Sequence, residues 1–481
     1  MSSEIRKLEP TSLWNNFADI NAIPRPSKKE GKIIQHILAF AKKHDIDALI
    51  DPIGNVIMRK PATAGMENRK AVVLQSHLDM VCQKNNDTDF DFDTQGINML
   101  IEGDWVTADG TTLGADNGIG VAAILSIFAS DDIAHPALEA LLTIDEETGM
   151  TGAIGLQAGY LFGDILLNLD TEDDDEIAIG CAGGIDVSAS KSYEQHATIA
   201  TNGFKISVKG LRGGHSGMDI HKDFGNANKM MNRILYALKE DILIAEVDGG
   251  SLRNAIPRES NAIIVSNHVN KVKELFNAIA ADIIREYQKI EENISITIQA
   301  TDLPIHTLSP DEQDNFIKTV YSINNGVYRM SPDMEKLVET SNNLARVLVK
   351  DGKMKLLSLT RSAIESGKTD LANQLKCCLQ LGNFAVSLDG SYPGWKPNKD
   401  SAILQILSNL YTKLYHEQAK IIAYHAGLEC GILGTNYPEM DMISFGPTIQ
   451  RAHSPDERVC ISSTQKFWAF LLEVLKTIPK K

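Results

Sequence analysis

Apolar and polar positions follow two rhythms along this chain. Near the start, "PTSLWNNFADI" places Leu13, Phe17 and Ile20 at helical spacing, "PRPSKKE" interrupts it, and "GKIIQHILAFAKKH" resumes it. "DPIGN" reads as a turn into the short strand "VIMRK". Apolar runs that end in polar residues follow: "AVVLQSHLD", then "EALLTIDEE" after the helical "NGIGVAAILSIFAS", then "DILLNLD" and, far downstream, "MDMISFGPTIQRAHS". Buried strands alternating with helices predict an α/β fold, a central sheet flanked by helices. Ligands of such sheets gather at the carboxyl ends of the strands. His77, Glu146, Glu147, Asp170 and His453 all fall at or just beyond such ends.

The middle has a different rhythm. From about residue 187 to 399 the strands are shorter and more alternating, as in "FKISVKG", "SNAIIVSNHV", "ISITIQAT" and "KLLSLTRSA". Helices such as "NANKMMNRILYALK" and "VKELFNAIAADIIREYQKI" separate them. This predicts an α+β domain over 187–399 inserted into a first domain formed by 1–186 and 400–481. A length of 481 residues, too great for one ordinary core, agrees with two domains.

Composition narrows the function classes. A net charge of −16 repels phosphate backbones, so nucleic acid is not an expected partner. An acidic chain attracts cations instead. "MSSEIRKLEPTSLWNNF" has no apolar core of signal-peptide length and no run reaches membrane-spanning length, so a cytoplasmic chain without a membrane partner is expected. Cys82, Cys181, Cys377, Cys378, Cys430 and Cys460 contain no C-x-x-C pair and read as free thiols of a reducing compartment.

The candidate chemistry lies where the apolar runs stop. "HLD" puts His77 and Asp79 on one face of an extended segment, as a buried histidine with its carboxylate partner or as a metal ligand. Asp116 and Asn117 in "TTLGADNGIG" suit a helix N-cap. "LNLDTEDDDE" offers Asp170 directly after an apolar run, while residues 172–176 read as a solvated acidic loop. His453 in "GPTIQRAHSPDE" and His215 in "LRGGHSG" read singly as a surface histidine and a turn. Three consecutive acids, Asp145, Glu146 and Glu147, raise one another's pKa. Taken jointly, two histidines and several carboxylates at the tips of different strands make a nitrogen and oxygen site suited to zinc, manganese or cobalt. Two divalent cations would cancel the crowded negative charge.

The strings "AVVLQSHLDMV", "GTTLGADNGIG", "GCAGGID", "LRGGHSG", "LRNAIPRE", "YPGW", "HAGLECG" and "YPEMDMISFGPTI…HSPDE" together resemble the co-catalytic metallopeptidase family of aminoacylase, carboxypeptidase G and carnosinase, and within it the Xaa-His dipeptidase branch. The resemblance spans nearly the whole chain. It implies a catalytic α/β domain interrupted by a lid domain, and two divalent ions per chain, zinc first among the candidates. His77 and Asp170 would hold one ion, Glu147 and His453 the other, and Asp116 would bridge them, with Asp116–Asn117 a candidate cis peptide. Glu146 would serve as general base and then acid. Adjacent residues of an extended segment point opposite ways, which would separate Glu146 from Glu147. Asp79 would orient His77. His215 would assist the oxyanion, Arg361 and Asn254 would bind the substrate carboxylate, and Glu429 the substrate amine. His221 and His425 are read as structural, and Asp145 has no assigned role.

The implied activity is hydrolysis of dipeptides, Xaa-His and carnosine (β-Ala-His) included, by a homodimer. The rival readings are an N-acyl-amino-acid amidohydrolase or a tripeptidase of the same fold, or a non-catalytic metal-binding protein on the same scaffold.

Overall fold

The computed structural model describes residues 2–481. One compact unit runs through Gly180 and resumes over Trp395–Ala423 and Leu428–Lys481, and a second comprises Cys181–Gly394 and Tyr424–Gly427.

The first unit is built on an eight-stranded mixed sheet. Its order is Asp47–Ile50, Val56–Lys60, Leu138–Thr143, Val72–His77, Ile165–Asn168, Asp441–Ser444, Glu176–Cys181 and Lys420–Tyr424. The central strands Leu138–Thr143, Val72–His77, Ile165–Asn168 and Asp441–Ser444 run parallel, so their carboxyl ends share one edge. Three of them are buried at every position, as expected of largely apolar strands covered on both faces. The register sets His77 beside Thr143 and Gln75 beside Asn168.

Helix Ala115–Ala129 is apolar on all sides and almost wholly buried, packed on Val72–His77 and on the amphipathic helix Thr11–Asn21. Two further helices, Ala402–Tyr415 and Ile461–Thr477, pack together around Tyr411, Phe467 and Phe470. A small four-stranded sheet joins Ile449–Gln450, Arg458–Cys460, Trp105–Ala108 and Met99–Glu102. Its outer hairpin carries His453, with the Arg458 guanidinium 4.2 Å over the Trp105 ring.

The second unit is a nine-stranded antiparallel sheet with four main helices, Ala227–Leu238, Val269–Tyr287, Pro310–Ser322 and Glu365–Leu381. Their apolar stripes meet the sheet in a core that includes Ile206, Ile234, Ile264, Phe276, Leu344 and Leu371. Local signals start the helices: Asn226 accepts from the amides of Asn228 and Lys229, and Ser309 caps a helix with proline in its first turn. The strand Val338–Lys350 is not evident from its pattern, because its first half, "VETSN", is polar yet buried. Hydrogen bonds make that burial tolerable. Asn343 donates to the carbonyls of Arg253 and Ala255, Asn342 to that of Asn324, and Thr340 meets Ser362.

No helix among the described residues is long and apolar enough to cross a membrane. Among the described residues Cys82, Cys377, Cys378 and Cys460 form no disulfide.

Candidate metal centre

At the carboxyl edge of the parallel strands, His77 ends its strand 1% exposed. Its Nε2 lies 3.0 Å from Asp116 Oδ1 and 3.5 Å from Asp170 Oδ1. The other oxygen of Asp116, Oδ2, is 3.0 Å from His453 Nε2, which is itself 3.0 Å from Glu147 Oε2. Asp116 thus stands between two imidazoles. Three groups offer donor atoms within 4.8 Å of one another: His77, Asp116 and Asp170; Asp116, Glu147 and His453; and His77, Glu146 and Glu147. Glu147 Oε1 and Asp170 Oδ1 are buried acceptors with no hydrogen-bond donor. A cation is what such acceptors lack, and this mixture of imidazole and carboxylate fits zinc, manganese or cobalt.

The protons of the site compensate for its crowded charge. Burial, reinforced by Asp116 and Glu147, pushes Asp170 up to about 6. Burial also raises Glu147, and carries Glu146 well above the carboxylate range with the help of Asp170, Glu147 and Glu429. Bonds to Asp116 and Glu147 raise His453 to about 11. His77 is raised well above its ordinary value, because Asp170 and Asp116 outweigh the opposing effect of burial. Asp116, although buried, is held far below its usual value by the two imidazoles.

The turn that carries Glu146 and Glu147 differs from the extended segment expected. Asp145 adopts φ 52°, and Glu146–Gly149 forms a short helix. The reason is Asp79. Its Oδ1 accepts from the Glu146 amide (3.0 Å) and its Oδ2 from the Glu147 amide (3.2 Å) and from Ser27 Oγ (2.7 Å). Burial opposes its ionisation, but His77, Ser27 and these amides hold Asp79 down at about 2. His77 Nδ1 is nearer the Asp79 carbonyl (3.1 Å) than its carboxylate (3.5 Å). Asp79 therefore serves both the histidine and the turn. Asp145, which sequence reasoning left without a role, is buried and pins this turn. Its amide donates to Glu30 Oε1 at 3.0 Å, and its carboxylate accepts from the hydroxyls of Thr148 and, at 2.8 Å, Thr151.

Asp116 does not cap its helix. Gly114 occupies the cap position, and Asp116 and Asn117 interrupt the helical backbone across a cis peptide. Asn117 donates to the Leu169 carbonyl at 2.7 Å. A Cβ on Gly120 would come within 2.4 Å of Asn117 Oδ1 and of Ser76 Oγ, so that position admits only glycine. The acidic stretch 172–176 is not simply solvated. Asp174 pairs with Lys466 and Asp175 with Lys420, while burial and the nearby Asp116 push Glu172 up to about 8.

Glu429, read from the resemblance as a binder of the substrate amine, is 0% exposed, and its Oε1 is a buried acceptor with no hydrogen-bond donor. Its Oε2 accepts from Gln75 Nε2 and Thr143 Oγ1, both at 2.6 Å, and burial raises it to about 7. It ends a buried polar row that continues from Gln75 to Asn168, Ser444 and Thr171 across the parallel strands.

The remaining candidates lie in the second unit and cluster there. Arg361 is buried, with Nη1 2.9 Å from Tyr392 Oη and Nη2 3.4 Å from His215 Nε2. His215 Nδ1 accepts from the amides of Gly217 (3.3 Å) and Met218 (3.1 Å), so a neutral ring carries its proton on Nε2. Ser216 bonds to the Asn254 carbonyl at 2.7 Å, which brings Asn254 to the same patch. Two donors, Arg361 Nη2 and His215 Nε2–H, then face one another, an arrangement that suits an anionic oxygen.

The profile described as Peptidase family M20/M25/M40 matches residues 73–477. The chain is 44% identical to the cytosol non-specific dipeptidase of Escherichia coli (strain K12) over 484 aligned positions, covering 100% of both chains. The crystal structure of aminoacylhistidine dipeptidase from Vibrio alginolyticus superposes with a TM-score of 0.91 at 45% identity, again over 100% of each chain. A Staphylococcus aureus tripeptidase, at 16% identity and a TM-score of 0.58 over 98% of this chain and 99% of that one, shares the fold. The chain therefore belongs to Peptidase family M20/M25/M40.

Proposed function

We propose that this chain is a cytoplasmic dipeptidase that works with two divalent metal ions, zinc by preference. Its substrates are dipeptides with broad tolerance for the first residue, Xaa-His and β-Ala-His among them. The observation that carries the reading is the pair of donor groups, His77–Asp116–Asp170 and Asp116–Glu147–His453, sharing one aspartate. Full-length identity of 44% to a cytosol non-specific dipeptidase and 45% to an aminoacylhistidine dipeptidase supports the substrate class.

In this reading His77 and Asp170 would hold one ion and Glu147 and His453 the other, with Asp116 available to both. Bound there, the ions supply Lewis acidity and a water that ionises near neutral pH. The chain's own residues do the rest. Glu146 takes the proton of the attacking water and delivers it to the departing amine. Asp79 fixes both His77 and the backbone of Glu146. Arg361 and Asn254 bind the substrate's terminal carboxylate, and the Nε2–H of His215 donates to the oxygen that gains charge. Homodimerisation belongs to the proposal.

The test is to strip the protein of metal, reload it with zinc, manganese or cobalt, and offer Ala-His, β-Ala-His, a tripeptide and an acetyl amino acid. Metal-dependent cleavage of the two dipeptides is expected. Cleavage of the acetyl amino acid alone would make the chain an amidohydrolase, and of the tripeptide alone a tripeptidase.

A further inference from the structure

The segment Leu113–Asp116 ends in the carboxylate shared by two donor groups, and two buried opposite charges grip it. Glu457, 2% exposed, accepts four consecutive amides. Leu113 (2.8 Å) and Gly114 (2.9 Å) donate to Oε2, and Ala115 (2.8 Å) and Asp116 (3.3 Å) to Oε1. Arg25, 1% exposed, holds the carbonyl side. Its Nη2 donates to the Gly114 carbonyl (2.5 Å) and to Asn21 Oδ1 (3.2 Å). Its Nη1 donates to the carbonyls of Leu78 (3.1 Å) and Asp79 (2.9 Å), the two residues after His77. Arg25 thus ties the stretch following one candidate ligand to the stretch preceding another. Gly114, at φ +71°, makes room: a Cβ there would lie 2.4 Å from Arg25 Nη2.

Buried charges persist only where hydrogen bonds replace their hydration. A carboxylate filled by four directed donors leaves the segment little freedom to shift. We propose that Glu457 and Arg25 are positioning residues of the metal centre, fixing Asp116 so that its two oxygens serve different cations. This rests on the dimetal reading above. Neither residue ligates, and their effect passes through the backbone that they hold.

The comparison that isolates this effect uses Glu139. It is another buried carboxylate of the same unit, accepting the amides of Phe162 (2.6 Å) and Gly163 (2.9 Å) at the opposite end of the sheet. Zinc affinity is measured by competition with a chromophoric chelator on wild type, Glu457→Gln, Glu457→Asp, Arg25→Lys and Glu139→Gln, each checked for folding by circular dichroism. In Glu457→Gln the new amide donors face backbone donors, and affinity falls about 10–100-fold, the range for groups behind metal ligands. Glu457→Asp keeps the charge but retracts it, and falls by about 10-fold, as does Arg25→Lys. Glu139→Gln keeps wild-type affinity even where it lowers the melting temperature. Wild-type affinity in folded Glu457→Gln, or equal losses in Glu457→Gln and Glu139→Gln, overturns the assignment. Should Glu457→Gln fail to fold, wild-type affinity in Glu457→Asp and Arg25→Lys does so instead. A wild-type protein that binds no zinc sinks the dimetal reading itself, a separate result.

Discussion

At the scale of single residues, identity and environment part company. Glu146 and Glu147 are chemically alike and adjacent, yet Glu147 Oε2 pairs with His453 while Glu146 shares a donor group with His77. Glu146→Gln is expected to lower kcat by about 10²–10⁴-fold, the usual weight of a general base, while the metal content of the chain stays as in wild type. Elemental analysis beside kinetics checks this, and a parallel loss of metal would make Glu146 a ligand. His425, read from sequence as structural, gives a pH prediction. Burial, with the charges of Arg361 and His215, depresses it to about 3, and its Nε2 lies 2.7 Å from Ser341 Oγ. Below about pH 6.5 the unfolded chain takes up a proton that the folded one refuses until about pH 3. Stability therefore declines as pH falls through that window. His425→Gln, which keeps a hydrogen-bonding group and removes the titration, should flatten the melting temperature between pH 5 and 7.5. An unchanged slope would assign the acid sensitivity elsewhere. His77, Glu147, Asp170 and His453 were legible as candidates because each ends or closely follows an apolar run, whereas Asp116, at a helix start, came only from the resemblance. The partners of Glu429 were not legible, because nothing local tells that Gln75 and Thr143 enclose it.

Among elements, the turn after Leu138–Thr143 shows where local reading fails. "DEETG" continues an apolar strand, and extension was the natural expectation. What bends it is Asp79, 67 residues before Glu146, whose carboxylate collects the two amides. A capping partner so remote leaves no mark on the periodicity of the turn. Asp145 completes the bend through the hydroxyls of Thr148 and Thr151. Asp145→Ala leaves those hydroxyls and a left-handed backbone without support, and should cost about 1–3 kcal/mol. Chemical denaturation measures it. A cost within a few tenths of a kcal/mol would show that Asp79 alone holds the turn. The central parallel strands were readable because strands covered on both faces are mostly apolar, with their polar residues near the ends. Val338–Lys350 was not, because its buried polar half depends on carbonyls contributed by distant loops.

For the molecule as a whole, two units with separate cores imply two thermal events. The candidate ligands all belong to the first unit. Zinc at about 100 times its dissociation constant should add about 2.7 kcal/mol to the stability of whatever binds it. Scanning calorimetry should then show one transition rising with zinc and falling with chelator, and another that stays in place. A single transition, or two that move together, would mean that the units melt as one. The net charge of −16 pointed toward cations before any ligand was named. It could not say where, because the positions depend on which strands lie side by side.

The hairpin between Ile449–Gln450 and Arg458–Cys460 carries His453 and, four residues on, Glu457. One is a candidate ligand, 53% exposed at its side chain, and the other is the buried grip on Asp116. Surface loops ordinarily accept insertions and deletions freely. This one cannot change length between the two, since a single added residue would move either the imidazole or the carboxylate out of reach. A change of length there should cost metal binding, in a loop whose exposure would otherwise make it a favoured place for grafting, tagging or permutation.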